Sequence, residues 1–173
     1  MENLSAPLSS IETLNLQAVW DAMKTGQHRK IPSLLAQFTV SAIEAVDNGR
    51  GIMQVVHVLR QSCLDDLAAE TSKLLAKNAS KGGALKAEAV ESLLLSAEKK
   101  RDQGKTQEAV DIAAYGLDLS ARGTAQRKWA AILLWTMSPS GALSEELSAK
   151  VASTAREEGI LQYAFPATKP SLS

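Results

Sequence analysis

The chain holds one cysteine and two histidines, and the pair that could act as nucleophile and base is Cys63 with His57. Covalent catalysis needs a nucleophile, a base and an orienting group within reach of one another. Six helical residues turn through about 600°, which puts Cys63 and His57 on different faces of the helix expected there. Cys63 therefore reads as a small core residue. His57, between Val56 and Val58, reads as a partly buried or interface histidine. A metal site needs His, Cys or carboxylate ligands at convergent spacing, and none occurs. Asp65 and Asp66 are neighbours, about 100° apart on a helix, so they read as a solvated face. Glu145 and Glu146 suit the positive end of the helix they begin. The loops Ser80-Lys81-Gly82-Gly83 and Asp47-Asn48-Gly49-Arg50-Gly51 carry neither a Walker nor a dinucleotide spacing, and no strand precedes them. The sequence offers no catalytic residue, no metal ligand and no cofactor site, and it points away from an enzyme.

Basic clusters are the remaining polar signal. Lys99, Lys100 and Arg101 with Lys105 form the densest, Arg127 and Lys128 a second, and His28-Arg29-Lys30 a third; Lys73, Lys77 and Lys81 form a row at helical spacing. Over the whole chain 19 basic and 19 acidic side chains cancel, yet residues 73–128 hold eleven basic against seven acidic. This excess is too small for an obligate nucleic-acid binder, but it allows local phosphate contacts. Lys99, Lys100, Arg101, Lys105, Arg127 and Lys128 are thus candidate phosphate or partner contacts. The competing reading is a solvated face, with cations placed favourably near helix C-termini. Only Trp129 lies beside a basic pair, so sequence-specific stacking on single strands is not expected.

The segments that must position these residues read as helices throughout. Hydrophobic residues make up 45% of the chain and aromatics 4%, so a core must come from Leu, Ala, Val and Ile. Ser9 with Glu12 resembles a capping box, followed by Ile11, Leu14, Ala18 and Ala22 on one face, with Trp20 and Met23 beside it. Ile31-Pro32-Ser33 opens a second helix, with Leu34, Leu35, Phe38, Ile43 and Val46 apolar and a stop at Asp47-Asn48-Gly49. A third, longest helix is expected from Gly51 to Lys77, with a stripe of Ile52, Val55, Val56, Leu59, Cys63, Leu67, Leu74 and Leu75. Four shorter ones follow near 85–101, 106–120, 124–137 and 144–158. The last has Ser144 as cap and Leu147, Val151 and Ala155 as stripe. The helix bearing Trp129, Ile132, Leu133, Leu134 and Trp135 is apolar nearly all round, as a central helix would be. No segment alternates with period two. The expectation is an all-α bundle of about seven helices. It comprises helical subdomains over 1–77 and 84–160 that meet near Asn78–Gly83, and a flexible tail over 161–173.

From Val90 to about Gly123 the residues fall in a familiar order: Leu93, Ala97, Gly104, then Glu108-Ala109-Val110, Ala113, Gly116 and Leu117-Asp118-Leu119. This stretch resembles one tetratricopeptide repeat, a helical hairpin whose small residues let two backbones approach closely. Lys100, Ala113 and Ala121 depart from the family's preferred residues. The resemblance implies protein or peptide binding in a concave groove. Taken together, the expected function is a non-enzymatic interaction protein that binds a protein partner or a second copy of itself. The alternative is an RNA-binding or nucleoprotein-associated factor, of the kind some viruses encode, that uses the basic middle region. With a lone cysteine no intramolecular disulfide can form. The first residues have no signal-peptide pattern, and no run approaches the ~20 apolar residues of a membrane span. Cytoplasmic location and no membrane insertion are the expectation.

Overall fold

The computed structural model describes residues 10–36 and 50–160, with side chains from residue 17 onward. The expected capping box at Ser9 and Glu12, the second helix beyond residue 36 with its Asp47-Asn48-Gly49 stop, and the tail over 161–173 lie outside what is described. Among the described residues every regular element is helical. They are α1 (Ser10–Lys24), a 3-10 turn (His28–Lys30), α2 (Ile31–Leu35), α3 (Arg50–Gln61), α4 (Asp65–Asn78), α5 (Ala84–Asp102), α6 (Thr106–Leu119), α7 (Ala125–Met137), a 3-10 turn (Ser138–Ser140) and α8 (Glu145–Glu157). The chain is all-α. No helix among the described residues is long and apolar enough to cross a membrane.

The chain divides into two compact units, residues 1–92 and 93–173, and the division falls inside α5. The sequence places it in the turn at Asn78–Gly83. That turn is where the helical pattern breaks, but the first half of α5 still supplies buried Leu85, Ala89 and Val90 to the first unit.

In the first unit α1 packs on α2, α2 on α4, and α3 on α4. Ile31 and Leu35 of α2, Ile52, Met53, Val55, Val56 and Leu59 of α3, and Ala68, Leu75 and Ala76 of α4 are buried. On α1 the buried residues are Val19 and Ala22; Val19 was not on the expected face. Arg60 Nη2 donates to the backbone oxygen of Ser92 at 2.7 Å and to its hydroxyl at 2.6 Å. The Ser72 hydroxyl donates to Ala68 O at 2.7 Å and stands 2.9 Å from the Ser92 hydroxyl. One serine of α5 thereby ties down α3 and α4. Burial pushes the Arg60 guanidinium below its ordinary value, and the charge of Asp65 opposes that shift.

The long third helix expected from Gly51 to Lys77 is two helices. They are broken at Ser62-Cys63-Leu64, and Cys63 is exposed rather than buried. The local geometry explains why. Leu64 N donates to Leu59 O and Cys63 N to Arg60 O, with Cys63 at φ +61°. This is the left-handed termination that usually takes glycine. The same pattern recurs at Gly104, where Lys105 N donates to Lys100 O and Gly104 N to Arg101 O. A side chain in this conformation is strained by roughly 1 kcal/mol. Cys63→Gly should therefore raise stability by about 0.5–1 kcal/mol in urea unfolding, offset in part by the freer unfolded chain. A loss of stability would show that the thiol makes a contact worth more than the strain. Asp65 and Asp66 then sit in the first turn of α4, where the helix dipole favours them.

In the second unit α6 packs on α7 and α7 on α8, so α7 is central, as its apolar girth predicts. The buried set is Leu93, Leu94 and Ala97 from α5, Ala109, Val110, Ile112, Ala113 and Leu117 from α6, Ala130, Ala131, Leu133, Leu134 and Met137 from α7, and Val151 and Ala155 from α8. Its alanines allow closely spaced helix axes. Thr124 caps α7 by accepting from Arg127 N at 3.3 Å, and Ser144 caps α8 by accepting from Leu147 N at 3.1 Å. The Ser144 cap and the buried Val151 and Ala155 follow the sequence pattern.

Candidate partner-binding face

The second unit has two layers, and its polar contacts define them. Across α5 and α7, Trp129 Nε1 donates to Glu98 Oε1 at 2.9 Å and Arg101 Nη1 to Thr136 Oγ1 at 3.3 Å. Both contacts advance along the two helices in the same sense, so α5 and α7 run parallel. Across α6 and α8, Lys150 pairs with Asp118.

The six candidate basic residues take different places in this frame. Lys100 is buried and its Nζ lies 2.7 Å from Glu108 Oε2, which latches α5 to α6. Arg101 lies beside Asp102 at 3.2 Å. Arg127 points into the α6–α8 side: its Nε is 3.3 Å from Glu158 Oε1, its Nη2 is 3.8 Å from Glu157 Oε2, and its Nη1 reaches Leu117 O and Ser120 O at 3.3 and 3.4 Å. Glu158 in turn accepts from the backbone N–H of Gly123 through both oxygens at 3.0 Å. Lys99 and Lys128 are half-buried and Lys105 is exposed. Three of the six thus face carboxylates of their own chain. The pair Glu157-Glu158, which the helix dipole does not account for, has basic partners in Arg127 and, for Glu157, in Arg122 at 3.7 Å.

Against this background α5 and α7 present apolar side chains outward. Leu95 is 42% exposed and Ile132 is 37% exposed. Leu95 precedes Glu98 by one helical turn, and Ile132 lies between Trp129 and Thr136. Leu95 thus lies near Glu98 on α5, and Ile132 near Trp129 on α7. Half-buried Trp129 and Trp135 are on the same helix as Ile132. The run Leu93-Leu94-Leu95 carried the signal: at 100° per residue three successive leucines cannot all face one core.

In the first unit a groove of about 440 Å³ is lined by Arg29, Cys63, Leu64, Asp65, Asp66, Leu67 and Glu70. His57 is not among its walls, and no group of three or more metal-binding side chains gathers among the described residues. No protein-family model, curated protein or solved structure gives a match to the chain.

Proposed function

We propose that the chain is a non-enzymatic helical interaction protein whose α5–α7 surface binds a protein partner. The observation that carries this reading is the outward placement of Leu95 and Ile132 on two parallel helices held together by the Trp129–Glu98 bond. Tryptophan is enriched at interface cores, and half-buried Trp129 and Trp135 lie on the same helix as Ile132. The resemblance of residues 90–123 to a tetratricopeptide hairpin supports the same direction, since that family binds protein or peptide in a concave groove. The RNA-binding alternative draws on the basic middle region and is the weaker reading, because Lys100, Arg101 and Arg127 already face carboxylates.

A photocrosslinking amino acid at position 95 tests the proposal in cells expressing the full chain. One or a few discrete protein adducts are expected, and the added substitution Ile132→Glu should remove them. Adducts that persist unchanged with Ile132→Glu, or crosslinks to RNA in their place, would overturn the reading.

A further inference from the structure

We draw no further inference here: the strongest candidate, the surface carrying exposed Leu95 on α5 and Ile132 on α7, already bears the functional reading, and nothing in the structure shows what covers it.

Discussion

Glu158→Ala should lower stability by about 3 kcal/mol, a large share of the roughly 5–15 kcal/mol that holds an ordinary domain folded. The Glu158 side chain is 4% exposed and that of Arg127 is 14% exposed. Removing the carboxylate leaves a guanidinium out of water with only the more distant, half-exposed Glu157 opposite. The Gly123 N–H loses both of its acceptors in the same step. Breaking one side of a buried ion pair is far worse than removing both, since the penalty is the stranded charge rather than the lost attraction. The double variant Arg127→Met with Glu158→Ala should therefore recover a good part of the loss. Urea unfolding followed by tryptophan fluorescence reads this directly, because Trp129 and Trp135 both lie in the second unit. A loss under about 1 kcal/mol for Glu158→Ala would mean that solvent reaches Arg127 and the clamp is only a surface pair.

Leu134→Ala should cost about 2–5 kcal/mol, whereas Ile132→Ala, two residues away on the same helix, should cost under about 1 kcal/mol. Leu134 has no exposed surface and sits on the helix that packs on both α6 and α8. Its truncation removes transfer energy and leaves a cavity that closely packed alanines cannot collapse to fill. Ile132 already shows more than a third of its surface to water. The two variants should also separate by assay: Ile132→Ala should weaken association at the α5–α7 surface at unchanged stability, and Leu134→Ala should do the reverse. Equal destabilisation would place Ile132 in the core and remove the surface on which the functional reading depends.

The all-helical class was legible because Leu, Ala and Val recur at helical spacing through every segment, and no competing period exists. Capping chemistry set the start of α8 closely, since a serine hydroxyl accepting the third residue's N–H is a local event. The break between α3 and α4 was not legible. The apolar period runs on to Cys63, and the terminating residue is a cysteine in a conformation that normally announces itself with glycine. The adjacent Asp65-Asp66 could have revealed it, because paired acids mark a helix start as well as a solvated face. The surroundings of the basic cluster were illegible for a different reason. Sequence shows where positive charges are but not which carboxylates reach them, and Glu108, Glu157 and Glu158 come from other helices. The outward placement of Leu95 and Ile132 was legible only in part. The run of leucines says that one must turn outward, but not which one.

The residues of α5 up to Ser92 belong to the first unit. During synthesis the chain emerges N-terminus first, so the bonds of Arg60 and Ser72 to Ser92 wait for Ser92. By then the ribosome has already committed to the opening residues of the second unit. The α3–α5 bond of the first unit therefore closes only after residue 92 has been made.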